Sequence, residues 1–351
     1  MQQRVHAQHI ARPRFRRAGE LVRWMGAIQA QDPAACRWAV GLRLGGEPRE
    51  RDIEAALDAG EVLRLHCLRG TWQLVAPADA RWILELVAPR VIAQASKRYA
   101  ELGLDAATLR KSQGVLARAL RGGTELTRDE VADCLASAGI STTGQRLSFL
   151  LHRAELESVV CSGARRGKHA TYTLFDRRVP AARPFDRSRA LAELAKRYFQ
   201  SRAPATAADF AWWSGLGPDD VREAMHAIHG GPSAKTTRLR ASAGAVLLPA
   251  FDEYLIGYAD RTALIAPAFA RRLHDGGGIL KPTVLINARV RGVWRRTLSR
   301  REVLIDVEPF ESLAPLERRA VERAAVRYGE FLGLTPVVTL HPSRAHAVDR
   351  D

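Results

Sequence analysis

The sequence predicts an α+β protein, mainly helical, in which three similar segments run in tandem and a small β-rich portion closes the chain. One observation behind this is a repeated order: short helices followed by a basic strand pair, in three successive stretches. Another is a change near residue 247, after which apolar residues alternate along the chain as they do in half-buried strands. The last is size, since 351 residues exceed what one hydrophobic core usually organises.

The first segment is expected over residues 12–79. A helix is placed around Glu20 to Ile28, and Asp32-Pro33 then supplies an N-cap with Pro at N1 for the next. A third helix covers about Arg51 to Ala59. Strands over Val62 to Leu68 and Thr71 to Val75 are joined by a tight turn at Arg69-Gly70. Residues 80–120 read as wholly helical, a connector.

The second segment, 121–179, is the clearest. Thr127 and Glu130 have the spacing of a capping box, and the helix they open ends at Gly139. A second helix starts near Thr143 and carries Leu147, Leu150, Leu151 and Leu156 on one stripe. Ser158 to Cys161, the loop Ser162 to His169 and the alternating stretch Thr171 to Phe175 complete the order of a winged helix. A Pro- and Arg-rich linker, Arg178 to Phe185, follows.

The third segment, 186–245, holds a helix from Ser188 to Gln200, one from Ala207, a Pro218-led helix to His229, and strand-like Ala245 to Leu248. In the last portion, 246–351, Val284 to Ile286, Ala288 to Leu298 and Val303 to Val307 are strands, and a closing helix spans Pro315 to Phe331.

Composition narrows the function. At 46% hydrophobic and 26% charged residues the chain is ordinary globular protein. No apolar stretch approaches the roughly 18 residues of a membrane span, and no apolar run stands behind Arg4, Arg12 and Arg14 as a secretory signal requires. Cys36, Cys67, Cys134 and Cys161 lack metal-ligand spacing and read as small buried hydrophobes of a reducing compartment. The histidines share no metal or triad spacing, so neither metal nor cofactor is expected. A cytoplasmic, nucleoid-associated monomer is the expectation. Fifty-four basic against 38 acidic side chains, a net charge of +16, favour a polyanionic partner.

Several motifs then converge. Ile28-Gln29-Ala30-Gln31-Asp32-Pro33, Leu68-Arg69-Gly70-Thr71-Trp72-Gln73-Leu74-Val75, Cys161-Ser162-Gly163 and Arg197-Tyr198-Phe199 resemble the AlkZ-like DNA glycosylases. Asp209-Phe210-Ala211-Trp212-Trp213-Ser214-Gly215-Leu216 and Leu248-Pro249-Ala250-Phe251-Asp252-Glu253-Tyr254 are similar to the same family, so the resemblance runs from about Arg12 to Phe331. It implies three tandem winged helices and a C-terminal β-barrel forming a C-shaped clamp on double-stranded DNA. It implies hydrolysis of the N-glycosidic bond of alkylated purines, in some members within interstrand crosslinks. The family's Gln-X-Gln motif falls on Gln29 and Gln31, the catalytic candidates.

The residue type fits that chemistry under one condition. Glycosidic hydrolysis commonly uses two carboxylates, an acid for the leaving group and a base for water. Glutamine can be neither, but its carbonyl oxygen orients a water and its NH₂ donates hydrogen bonds. That suffices when the leaving group needs no acid. A purine alkylated at N7 or N3 is already cationic and departs neutral, with positioning and electrostatic preorganisation supplying the rate. On a helix, positions i and i+2 point about 200° apart. Because Pro33 disfavours helix at Asp32, the two glutamines are expected where a helix ends and a turn begins. Asp32 is read as the N-cap, with a catalytic base as the lesser role.

DNA contacts are expected from basic clusters: Arg165, Arg166, Lys168 and His169 on the second wing, and Arg289, Arg291, Arg295 and Arg296 on a C-terminal strand. Arg69 and Gln73, on the first hairpin, are candidates to probe the lesion. A steep fall of affinity with salt, roughly 0.9 in log K per phosphate contact, should follow. The seven tryptophans read mainly as core. Asp252 and Glu253 read as strand neighbours facing opposite ways, one supporting a cation such as Arg261. Two other classes compete with the glycosylase: a non-catalytic winged-helix DNA-binding protein, and a scaffold with a protein partner.

Overall fold

The computed structural model describes residues 1–181, 185–228, 244–276 and 278–343. Its first part comprises α1 (Gln2–Ala7), α2 (Ala18–Met25), β1 (Ile28–Gln29), α3 (Pro33–Gly41), α4 (Glu50–Asp58), β2 (Leu63–His66) and β3 (Trp72–Val75). β1 and β2 flank β3 in an antiparallel sheet of order β1-β3-β2. α3 starts as its sequence dictates: Asp32 is extended and its carboxylate accepts from the amides of Ala34 and Ala35 at 2.8 and 3.0 Å, with Pro33 at N1.

The connector is helical in three pieces, α5 (Pro77–Gln94), α6 (Ser96–Glu101) and α7 (Ala106–Ala119). Gly103 at φ 61 ends the middle piece, and the Asp105 side chain caps α7 on the Thr108 amide. After α7 come β4 (Leu126–Thr127), α8 (Arg128–Ser137), α9 (Arg146–Leu156), β5 (Val160–Ser162) and β6 (Thr171–Leu174), with sheet order β4-β6-β5. Helix, strand, helix, helix, strand, strand, with the first strand pairing the last, is thus common to α2–β3 and α7–β6. The Thr127–Glu130 capping box is formed on both sides, at 3.3 and 2.7 Å.

α10 (Phe175–Arg178) leads to α11 (Arg187–Arg202), α12 (Ala207–Ser214) and α13 (Pro218–Ala227). Thr206 and Asp209 form a capping box on α12, which Gly215 ends in the left-handed region. β7 (Ala245–Leu248), read in sequence as the close of the third segment, belongs to another sheet. It pairs with β8 (Thr283–Ile286), and β9 (Arg289–Leu298), β10 (Glu302–Pro309) and β11 (Thr335–Leu340) extend the order to β11-β10-β9-β8-β7. The expectation that His229 ends the preceding helix lies outside the described residues. α14 (Glu253–Ile256) follows β7, and α15 (Pro315–Leu332) packs on β7 and β11. β11, which sequence reading did not foresee, runs parallel to β10.

Three apolar cores result. One joins α2 and α3 to the five-stranded sheet, one joins the first hairpin and α5 to α11–α13, and one fills the α7–β6 unit. The small sheet β1-β3-β2 stands on the seam between the first two: Ile28 and Leu74 face one core, Leu63, Leu65 and Val75 the other. Cys36, Cys67 and Cys161 are buried and Cys134 half-buried, all as free thiols. Among the described residues no helix is long and apolar enough to cross a membrane, and no cluster of His, Cys, Asp or Glu could hold a metal ion.

Candidate active site

Gln29 lies in strand β1 rather than at a helix end, and Gln31 in the bend between that strand and α3. Gln29 pairs with Gln73 across β1 and β3, and the Ala30 amide continues the ladder to the Trp72 carbonyl at 2.7 Å. Burial alternates: Ile28 and Ala30 are closed off in the core, Gln29 is half-buried and Gln31 exposed. In β1 the period of two turns Gln29 away from the core that takes Ile28, and Gln31 is exposed in the bend that follows, so the helical objection to an i, i+2 pair does not apply. The sequence reading erred here because a two-residue strand is too short to show alternation.

Gln29 is held at both ends. Its backbone amide donates to Glu253 Oε1 at 2.9 Å, and its side-chain Oε1 accepts from Arg69 Nη2 at 2.9 Å. A guanidinium only donates, so the amide atom facing Arg69 is the oxygen, and the NH₂ is left as the outward group. Arg69 and Gly70 are the centre of the predicted hairpin turn, both at positive φ (58° and 69°), with the Thr71 amide donating to the Leu68 carbonyl at 3.1 Å. Gly70 is required twice over: besides its φ, a Cβ there would come within 3.0 Å of Val91 Cγ1 and 3.2 Å of His152 Nε2. Gln73, opposite Gln29, is buried and donates to Thr71 Oγ1 at 2.8 Å, while its Oε1 is closed to solvent without a partner.

Glu253 is the residue that sequence reading undervalued. It is fully buried at the start of α14, with Oε2 accepting from Arg202 Nη2 (2.6 Å) and Nε (3.1 Å) and from Trp213 Nε1 (3.1 Å). Arg202 in turn donates to the carbonyls of Met25 and Ala27, just before β1. Asp252 caps α14 and takes a bidentate pair from the buried Arg43 at 2.7 and 2.8 Å. Adjacent carboxylates therefore serve two buried arginines, Arg43 and Arg202. The expected strand geometry is overturned, because residues 252 and 253 open a helix, and the basic neighbours they support are Arg43 and Arg202 in place of Arg261.

Around this strand stand three guanidinium groups without an ion pair among the described residues. Arg64 donates to the Ala30 carbonyl at 3.0 Å and stacks on Trp72, Arg69 holds Gln29, and Arg261 lies toward Trp212. Burial lowers the pKa of each, and for Arg69 the neighbouring Arg261 and Arg202 add to the effect while Glu253 opposes it. Such groups make a positive, partly dehydrated rim beside the Gln pair.

The wing and C-terminal candidates are elsewhere. Arg165 is spent on Asp58 and Glu54 of α4, at 2.9 and 2.7 Å, and joins the two repeated units. Arg166 pairs with Glu130, and Lys168 and His169 are exposed at the loop tip. On β9, Arg289 is exposed, Arg291 meets Glu311 and Glu317, and Arg295 meets Asp306 and Glu308. Arg296 bonds the Tyr328 hydroxyl and lines, with Asp32, a small crevice between α3 and the C-terminal sheet. Of the tryptophans, Trp212 departs most from a core role, at 47% exposed.

The family model for "DNA glycosylase AlkZ-like" matches residues 22–331 of this chain. The chain belongs to the AlkZ-like DNA glycosylase family. A DNA glycosylase role, with DNA as the partner, follows from that membership. Among solved structures, the DNA glycosylase AlkZ of Streptomyces sahachiroi is similar in fold: TM-score 0.79 at 22% identity, over 97% of this chain and 99% of that one. No curated protein sequence matches. The motif stretches on which the resemblance was read, from Ile28 to Tyr254, lie within the matched region of this AlkZ-like chain.

Proposed function

We propose that this protein is a monofunctional DNA glycosylase that hydrolyses the N-glycosidic bond of cationic N7- or N3-alkylated purines in double-stranded DNA, with Gln29 and Gln31 as its catalytic pair. The observation that carries the reading is the Gln29 amide, fixed by Arg69 at its oxygen and by Glu253 at its backbone, with Gln31 exposed two residues on and without a side-chain hydrogen bond among the described residues. Gln31 is free to hold a water by its carbonyl oxygen, and Gln29 donates from Nε2 toward that water or the sugar. Neither group supplies a proton. The reaction is confined to bases that leave without one, and the positive rim offers its donors to the phosphates rather than to the base.

The common strand order of α2–β3 and α7–β6 supports reading both as winged-helix units, with α11–α13 as a third, and the whole as a clamp on the duplex. An exposed Gln31 in an open setting suits a lesion too bulky for a closed pocket, including an interstrand crosslink, and a base that need not be flipped.

Base release decides it. Duplexes with a single 7-methylguanine or a bulky N7 adduct should lose the damaged base to the wild type, and Gln29→Ala with Gln31→Ala should slow release by roughly a hundredfold or more. An unchanged rate in the double variant would remove the site, and efficient excision of uncharged lesions would remove the mechanism.

A further inference from the structure

Among the described residues, Arg261 is a half-buried cation without an anion. Its Nε is closed to solvent and unbonded, and among the described residues its guanidinium enters no ion pair or hydrogen bond. The adjacent carboxylate turns elsewhere: Asp260 Oδ1 accepts from the Thr262 amide at 2.8 Å and from its hydroxyl at 2.7 Å, and among the described residues Asp260 forms no ion pair with Arg261. The nearest aromatic partner is Trp212, with the guanidinium carbon 5.7 Å from the ring centroid. Trp212 keeps 47% of its surface exposed, although its Nε1 is tied to the Ile256 carbonyl.

The helix that carries Trp212, α12, ends against the first hairpin. Gly215, three residues beyond Trp212, lies so close to the first hairpin that a Cβ there would approach Arg69 Cγ to 2.8 Å. Arg69 uses Nη2 on Gln29 and feels the charge of Arg261. Two neighbouring partly dehydrated guanidinium groups repel each other and are costly unless an anion meets them. The carboxylate whose charge acts on Arg69, Glu253, is already committed to Arg202, Trp213 and the Gln29 amide. What remains open is a forked donor set for an oxyanion, next to an exposed indole face.

We propose that Arg261, together with Arg69 and Trp212, forms a phosphodiester-binding site that grips the DNA strand beside the nucleotide presented to Gln29 and Gln31. The inference rests on the DNA-repair reading for the identity of its ligand, but not on the Gln chemistry. Arg261 is a binding and positioning residue: it fixes where the sugar lies and leaves the hydrolysis to the glutamines.

The test is duplex binding, followed by anisotropy across a salt series, for the wild type, Arg261→Gln and Arg261→Lys. Arg261→Gln should bind several-fold more weakly, and its slope of log K against log salt should be shallower by about 0.9, one phosphate contact. Arg261→Lys, which keeps the charge, should keep the slope. A scan of single methylphosphonate substitutions around a 7-methylguanine should find one position that weakens the wild type and not Arg261→Gln. A wild-type slope in Arg261→Gln, or equal sensitivity of both proteins at every position, overturns the site. Tight quenching of Trp212 fluorescence by inorganic phosphate, with no effect of any methylphosphonate, would assign a free anion instead and also overturn it. Absence of base release with these binding results intact would sink the proposed chemistry and leave the phosphodiester site standing.

Discussion

Gln29 is restrained by its cross-strand partner Gln73, by Glu253 at its amide and by Arg69 at its side-chain oxygen. Arg69 thereby decides which end of the amide faces outward, and this depends on the fork of the guanidinium rather than on its charge alone. Arg69→Lys should retain the salt dependence of DNA binding yet lower kcat by roughly tenfold, within the range expected for a mispositioned group. Combined with Gln29→Ala it should add little, because both changes remove the same interaction. Full additivity in single-turnover base release would show that Arg69 works independently of Gln29. The sequence named Gln29, Gln31, Arg69 and Gln73 but missed how they meet. Arg69 and Gln29 are joined across two strands, and Glu253 reaches Gln29 from 224 positions away, a pairing that no local pattern encodes.

At the scale of elements, the β2–β3 turn is held from outside. The Tyr99 hydroxyl lies 2.9 Å from His152 Nδ1, and the other ring nitrogen is turned to Gly70. Burial, with His66 and Arg153 nearby, pushes the His152 pKa down to about 3, against a partial rise from the Gly70 carbonyl. The folded protein therefore keeps His152 neutral where the unfolded chain protonates it. Stability from this site is complete above about pH 6.5 and is lost as pH falls toward 3, on the order of 1 kcal/mol per pH unit. Melting temperatures from pH 7 to pH 4 should fall less steeply for His152→Gln than for the wild type, and parallel curves would refute the assignment. Elements with local signals were legible in the same way that this turn was. Asp32-Pro33, Thr127 with Glu130, Pro218 and Pro315 each mark a helix start by satisfying or omitting early amide donors. Strand membership was not legible: β7 and β11 find their partners far along the chain, and their own residues carry no trace of which sheet they join.

For the whole molecule, the small sheet bearing the Gln pair is positioned by two buried ion pairs that share one stretch of chain. Asp252 ties Arg43, at the end of α3, and Glu253 ties Arg202 of α11, so that the first unit and the third segment are both referred to α14. Gln8 completes the first pair by accepting from Arg43 at 2.7 Å, and burial alone would lower the Arg43 pKa but Asp252 raises it. The net charge of +16 pointed to an anionic partner, yet the structure commits Arg43, Arg165, Arg197 and Arg202 to internal carboxylates. Which of the remaining cations meet DNA is set by this scaffold. Asp252→Ala strands a buried guanidinium and should cost about 3–5 kcal/mol in urea unfolding, whereas Arg43→Met with Asp252→Leu removes both charges and should recover much of that loss. The single variant should also release 7-methylguanine more slowly at temperatures well below its melting point, since α14 no longer fixes Glu253 against the Gln29 amide. A single variant as stable as the wild type, or a double variant as weak as the single one, would show that this pair is not what aligns the two cores at the strand bearing Gln29.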